Sequence, residues 1–425
     1  MSPIIIIGAG WSGLAAAVTL SQQGVPVQVI ESAKQIGGRA RRVQWGYRNI
    51  DNGQHLMIGA YHRLLNMMQI VGLSPDHIFT RQAIHLPLLS QKYSPLTLTR
   101  SSYLPWPLSM AWPLLRHGGL SLVMAAFRIQ RHIPQLLQQQ DCSVIEWLQY
   151  HHQPMRLIEQ LWAPLCLATL NTPIERASAH VFATVIHTTL NQQATDADLL
   201  IPNQDLTAIF PDAAAAYIQQ RGGQVITQQR IQHITINRKQ FIITGHQQQW
   251  QSAQLIIATD PHRMQQLLAP HIDFPTPSYA PIVTVYLQYP SHCQLPDAIT
   301  GLTGTLSQWV FDKHSQYPGL FAVVISGKGP HIAYQQAQLV AIIATELHQH
   351  FPQLPAMPND AFVIREKRAT FECSVAAQAS RPRYRTSQPG LWLTNDYIKN
   401  HYPATLEGAI QNGQDCVNAI LASLP

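Results

Sequence analysis

Charge is scarce in this chain: Asp, Glu, Lys and Arg together make up 12% of its 425 residues. There is no lysine-rich block and no recognisable nucleic-acid reading motif. The net charge of +6 therefore points to an anionic membrane surface rather than to nucleic acid. Cysteine is sparse as well, with five residues (142, 166, 293, 373 and 416) and no C-x-x-C pair. That excludes a disulfide framework and a cysteine zinc site, and it suits a reducing cytosol. Twenty histidines occur without H-E-x-x-H or comparable spacing, so no metal is expected. No predominantly apolar stretch reaches 18 residues, which argues against a membrane-spanning helix. The start, MSPIIII, has no basic region before its apolar run and does not read as a signal peptide. A cytoplasmic protein is expected.

What is present begins at once. Ile4 to Ile7 form a β-branched apolar run that reads as a buried parallel strand. Gly8-Ala9-Gly10-Trp11-Ser12-Gly13 follows as a G-x-G-x-x-G turn leading into helical spacing. Gly8 permits the tight turn, Gly10 lets a pyrophosphate approach the main chain, and Gly13 lets helix and strand pack closely. The helix N-terminus offers unpaired N–H groups to phosphate. Val25 to Ile30 reads as the second strand, ending at Glu31, which lies 31 − 13 = 18 residues past the last glycine. A ribose-hydroxyl acceptor is expected about 20 residues on. Strand, turn, helix, strand and acid occur in the order that a dinucleotide site requires.

Five residues separate Glu31 from Gly37, Gly38 and Arg39. This second glycine pair adds another close backbone approach, and the arginine adds a cation for the same pyrophosphate. The arrangement distinguishes a flavin site from a nicotinamide site. It resembles the E-x(5)-G-G-R pattern of the flavin amine oxidase and carotenoid desaturase superfamily.

The same style returns twice. Residues 200–262 carry Gly222-Gly223 and short strands ending at "AQLIIATDP", and 386–425 end in a strand, a loop and an amphipathic helix. With 1–60 they are expected to build one FAD-binding domain. Residues 61–199, mainly helical, and 263–385, read as an antiparallel sheet, would form the substrate domain. The fold class is therefore α/β: a glutathione-reductase-type FAD-binding Rossmann domain interleaved with an α+β substrate domain. One stretch stands apart. Tyr103, Trp106, Trp112, Leu114 and Leu115 sit among prolines in a segment with no charge between Arg100 and Arg116. It is too short and proline-broken to span a bilayer, and it reads either as a buried helical pair or as an interfacial patch.

Two polar constellations carry chemistry. "DNGQH" places Asp51, Asn52, Gly53, Gln54 and His55 where a flavin ring would lie, and "YPATLEG" sets Pro403 and Thr405 just ahead of a helix. The helix amides would stabilise negative charge on a reduced flavin. Together with "GAGWSGLAAAVTL", "GGRARR", "LWAPLCLATLNTP" and "LLIPNQDLTAIFPDAAAAYI", these motifs resemble the hydroxysqualene dehydroxylases of bacterial hopanoid biosynthesis along nearly the whole chain.

The resemblance implies non-covalent FAD, a squalene-type isoprenoid substrate, reductive removal of an allylic hydroxyl, and an external reductant that it does not identify. It also implies a peripheral protein on the inner face of the membrane. Gly8, Gly10, Trp11, Ser12, Gly13, Glu31, Gly37, Gly38 and Arg39 would hold the ADP half of FAD. Ile231, on the strand after Gly222-Gly223, would meet adenine through its backbone. Asn52, Gly53, Gln54, Asp396 and the turn Thr405-Leu406-Glu407 would hold the ribityl chain and ring. His55 would be the proton donor, with Asp51 orienting it. Asn395 and Asn412 replace the Gly and Ser usual in the superfamily. A carotenoid-type desaturase would share the fold and run the hydride the other way. An amine oxidase or a non-catalytic isoprenoid-binding protein are further alternatives.

Overall fold

The computed structural model describes all residues except 1, 101, 102, 104, 105, 191, 192, 238, 239, 247, 270, 424 and 425. Ile4–Ile7 is buried along its whole length, as a central parallel strand requires. It pairs in parallel with Val27–Ile30 on one side and Leu255–Ile257 on the other. Gln224–Ile226 and Leu391–Leu393 complete an all-parallel sheet in the order 224–226, 27–30, 4–7, 255–257, 391–393. Three distant parts of the chain thus make one sheet. The helix Trp11–Gln22 buries ten of its residues between this sheet and the C-terminal helix Leu406–Ser423. A Cβ on Gly413 would lie 2.5 Å from Ser12 O and 2.9 Å from Ala15 Cβ, so only glycine allows that approach.

The second sheet has seven strands in the order 360–371, 279–288, 320–326, 309–312, 299–303, 85–90, 96–99. Every pair is antiparallel except Gly301–Thr303 with Leu88–Ser90. Side chains alternate across it, as period-two strands must. Val283, Val285, Leu287, Phe321, Val323 and Ile325 pack on the helix Gln336–His350. Ile282, Val324, Trp309 and Phe311 face the opposite way and wall a cavity. The expected mainly helical stretch 61–199 also supplies strands, because "HLPLLS" and "LTLT" alternate and pair as a hairpin on this sheet's edge.

The proline-rich stretch opens the helical segment Trp106–Leu136, which is kinked at Gly119 (φ 70°). Its inner face, including Leu114, Leu122, Ala125, Ile129 and Ile133, joins the core. Its outer face carries Leu108, Trp112 and Leu115, then Leu120, Met124 and Phe127, each set at i, i+4, i+7 and each residue more than 40% exposed. The segment is therefore core on one side and a bare apolar stripe on the other. Trp106 belongs to the inner side, with its indole N–H donated to Leu190 O at 2.8 Å.

Candidate functional site

The glycine turn builds one wall of a cleft of about 640 Å³. Gly8 has φ +110°, and a Cβ there would lie 2.8 Å from Ala258 O. A Cβ on Gly13 would collide with Gly8 O at 2.1 Å, whereas one on Gly10 would meet nothing within 4 Å and would project into open space. Gly37 and Gly38 both have positive φ and bring the second loop against the first, with Gly37 N–H donating to Ala9 O at 2.8 Å. Glu31 ties the turn down: one carboxylate oxygen accepts Ala9 N–H at 2.8 Å, the other Ala33 N–H at 2.8 Å. Trp11 donates to Ala40 O, and Ser12 Oγ lies 2.5 Å from Thr394 Oγ1. Ile231 also lines the cleft, but from the loop after Gln224–Ile226 rather than from a strand, and its carbonyl accepts from Arg263.

A second cavity, of about 320 Å³, lies beside the first and is walled by apolar side chains such as Leu56, Leu165, Phe182, Trp309 and Phe311. Arg39, His55, Ala369, Ala404, Thr405 and Leu406 line both cavities and mark where they meet. Arg39 was expected on a pyrophosphate; the structure pairs it with Asp396 at 2.5 Å and with Ala369 O at 2.7 Å. Asn52 spans Arg39 O and Glu366 Oε2 at 3.1 and 3.3 Å, and Gln54 donates to Tyr286 OH at 2.7 Å. Gly53, between them, lines the apolar cavity. Burial, with Arg39 nearby, pushes the His55 imidazolium down to about 4, so His55 is neutral at pH 7.

Two expected site residues are used elsewhere. Asp51 lines neither cavity; its carboxylate accepts Leu206 N–H at 2.7 Å. Burial raises it to about 6 against the opposing pull of Lys313. It supports the loop at 206 rather than orienting His55. Glu407, expected on the cofactor, accepts Arg63 and Leu64 N–H at 3.0 and 2.9 Å. It caps the helix His62–Ile70, whose first turn has no side-chain cap of its own.

The loop from Thr394 to Thr405 presents Asn395, Asp396, Ala404 and Thr405 to the first cleft. The two asparagines that depart from the superfamily pattern brace it. Asn395 Oδ1 accepts Tyr397 and Ile398 N–H at 2.8 and 3.1 Å, and Asn412 Nδ2 donates to Asn395 O and Ile398 O at 2.8 Å each. Thr405 Oγ1 then accepts Gly408 N–H at 3.1 Å, so the C-terminal helix begins at the junction of the two cavities.

The family model described as flavin containing amine oxidoreductase matches residues 11–421. The chain belongs to this family. A hydroxysqualene dehydroxylase of Zymomonas mobilis is 27% identical over 431 residues, covering 99% of this chain and 100% of that one. Another, from Rhodopseudomonas palustris, is 27% identical over 98% of both chains. A 15-cis-phytoene desaturase of Glycine max is 23% identical over 98% of this chain and 79% of that one. Among solved structures, cyclohexylamine oxidase from Brevibacterium oxydans superposes with TM-score 0.72 at 17% identity, covering 99% of each chain. The protein is an FAD-dependent oxidoreductase. Its residues fit the cofactor: the open space beyond Gly10 is a cradle that a Cβ would fill. The helix behind it has neither a side-chain cap nor an acid in its first turn, leaving its amides for phosphate.

Several cavity residues were not among the site residues expected from the sequence. Glu366 and Thr370 lie on the long strand Asp360–Phe371, which reads as an ordinary sheet element. Tyr61 and Tyr402 line the same cavity from separate loops, and burial raises both phenols. Asn171 ends the helix Ala163–Leu170 in the left-handed region (φ 48°). It ties that end to Thr370 Oγ1 at 2.9 Å and to Gly327 N–H at 2.7 Å. Its signal was the helix stop "NTP". Directly before that helix, Ile158–Trp162 is a π-turn, which accommodates the missing N–H of Pro164 and leaves Leu165, Ala168 and Thr169 on the cavity wall.

Proposed function

We propose that this enzyme is a hydroxysqualene dehydroxylase, removing the allylic hydroxyl of hydroxysqualene to give squalene. The observation that carries this reading is the meeting of an apolar, aromatic-walled cavity with the flavin cleft at His55. The two similar proteins bearing that name support it along the whole chain. In the reaction a C–O bond breaks, a C–H bond forms, and the hydroxide leaves as water after taking a proton. FAD, when bound and reduced, would supply the hydride, and each turnover would draw two electrons from an external reductant.

The chain's own residues supply the rest. Phe182, Trp309 and Phe311 present aromatic surface to an allylic cation and help to keep water out. His55, in its imidazolium form, delivers the proton to the leaving hydroxyl from the junction of the cavities. The test is anaerobic: the dithionite-reduced protein should convert hydroxysqualene to squalene with one flavin reoxidised per product. The relatives that desaturate phytoene favour one other reading, the reverse hydride direction. Oxidised enzyme that desaturates phytoene or squalene, and reduced enzyme that leaves hydroxysqualene intact, would decide for it.

The same reading places the protein on the cytoplasmic face of a membrane as a peripheral protein. No helix among the described residues is long and apolar enough to cross one. The stripe from Leu108 to Phe127 is the support: residues 101–140 hold Arg116, Arg128 and Arg131 and no carboxylate, which suits anionic lipid. Trp106, at the start of that segment, bonds to Leu190, which lines the apolar cavity. A thirty-carbon substrate gains roughly 0.8 kcal/mol per CH₂ on leaving water, but most of that is already gained in lipid. Access from the bilayer, more than pocket hydrophobicity, then governs capture.

A further inference from the structure

Arg381 is buried to 3% exposure, yet no carboxylate pairs with it among the described residues. Its guanidinium is surrounded by oxygen atoms instead. Nε donates to Tyr397 O at 3.0 Å. Nη1 donates to Gln378 Oε1, Asn400 O and Tyr402 O at 2.9, 3.2 and 3.0 Å. Nη2 donates to Asp396 O, Ile398 O and Asn400 Oδ1 at 3.1, 2.7 and 2.9 Å. Cζ lies 4.9 Å from the Phe371 ring centroid, closing the cage on one side. Six of these seven acceptors belong to residues 396–402, the loop that carries Asp396 and runs into Tyr402, Pro403 and Thr405 of the two cavities.

A buried charge normally requires an ion partner or a full set of hydrogen bonds. Here the five N–H donors of the fork meet backbone carbonyls that the loop does not use in regular structure. The loop contains neither helix nor strand of its own, so its path is set by what its carbonyls point at. Arg381 also follows directly on the helix Val375–Ser380 and the strand Asp360–Phe371, whose Glu366, Ala369 and Thr370 wall the apolar cavity. One side chain therefore fixes the flavin loop to the substrate wall.

We propose that Arg381 is a positioning residue for the flavin site: its guanidinium fork holds the 396–402 loop so that Asp396, Tyr402 and Thr405 face the two cavities. It acts through the loop and touches no reacting atom. Lysine keeps the charge but cannot reproduce a planar five-donor fork, so Arg381→Lys is a severe change at this position. The proposal rests on FAD being the cofactor and is independent of which isoprenoid is reduced.

The test uses purified holoenzyme and reads FAD affinity, the visible circular dichroism of the bound flavin, and rescue. Arg381→Lys and Arg381→Ala should each weaken FAD binding by about 10- to 100-fold, the loss typical of supporting partners around a bound group. Both should alter the flavin's visible dichroism while far-ultraviolet dichroism stays native. Millimolar guanidinium chloride should restore FAD affinity to Arg381→Ala, and the same concentration of methylammonium should not. Asn400→Ala, at a partly buried residue, removes one acceptor of the fork together with the bonds of Asn400 to Tyr402 N–H and Gly408 O, and should produce a smaller loss of the same kind. It decides the matter if the Arg381 variants do not fold. Wild-type affinity and dichroism in folded Arg381→Lys, or in Asn400→Ala if that variant alone folds, overturn the proposal. So does equal rescue by both cations.

Discussion

His55 gives the sharpest test of the chemistry, through pH. Burial beside Arg39 brings its imidazolium down to about 4, so at pH 7 only about one molecule in a thousand holds that proton. At pH 5 the fraction rises to about one in ten, so a proton delivered from this imidazolium should speed C–O cleavage by about 100-fold between pH 7 and pH 5. The sign is fixed: the donor form gains as pH falls, and the rate levels off only near the imidazolium's own value. His55→Phe removes that dependence and lowers the rate at pH 5 by roughly 10²- to 10⁴-fold, the usual span for a general acid. FAD content should change little, because the glycine turns hold the dinucleotide elsewhere. The assay is anaerobic single turnover: reduce with dithionite, add hydroxysqualene, and follow flavin reoxidation and squalene together from pH 7.5 to 5. A wild-type rate flat across that range, or a His55→Phe rate within twofold of wild type at pH 5, refutes the assignment.

Glu31→Ala should lose FAD on dialysis more readily than wild type, by roughly 1.5–3 kcal/mol for a charge-assisted hydrogen bond; full flavination after exhaustive dialysis would count against it. Glu407→Ala should behave differently, destabilising the protein by about 1–3 kcal/mol in urea unfolding through the uncapped helix at Arg63 and Leu64 while the folded fraction still binds FAD. Gly413→Ala should cost about 1–3 kcal/mol by overpacking the two helices, read as a lowered melting temperature; an unchanged melting curve would mean that the helices separate freely. Trp112→Glu with Leu115→Glu should reduce cosedimentation with anionic liposomes and leave the flavin spectrum intact, since both side chains are exposed. Unfolding of that double variant would instead assign the stripe to the core.

What the sequence revealed and what it hid divide along the distance between partners. The nucleotide turn was legible because its requirements are local: Gly8, Gly10 and Gly13 lie within six residues, and the acid that ties them down closes the next strand. The interleaved fold was legible for a similar reason, since each parallel strand announces itself as a short β-branched or apolar run. The carboxylate partners of Asp51 and Glu407 were hidden because an acid in a plausible motif does not reveal what it bonds. Asp51 meets Leu206 across 155 residues, and Glu407 meets Arg63 across 344. Both acids satisfy backbone N–H groups that the fold would otherwise bury unpaired, and that need appears only once the chain is packed.

The helical segment Trp106–Leu136 shows the opposite limit. Apolar residues occur on both of its faces, so periodicity alone could not choose between core and interface, and packing assigns one face to each. Arg381 is the extreme case. Its neighbours Pro382 and Arg383 suggest a basic surface turn, and nothing local announces a buried cation. Its role emerges only when the carbonyls of 396–402 converge on it. A loop without regular structure must still satisfy its buried carbonyls, and here one guanidinium does so for most of a turn. The residues that shape a flavin site can therefore lie outside its motifs, wherever an irregular segment needs a donor.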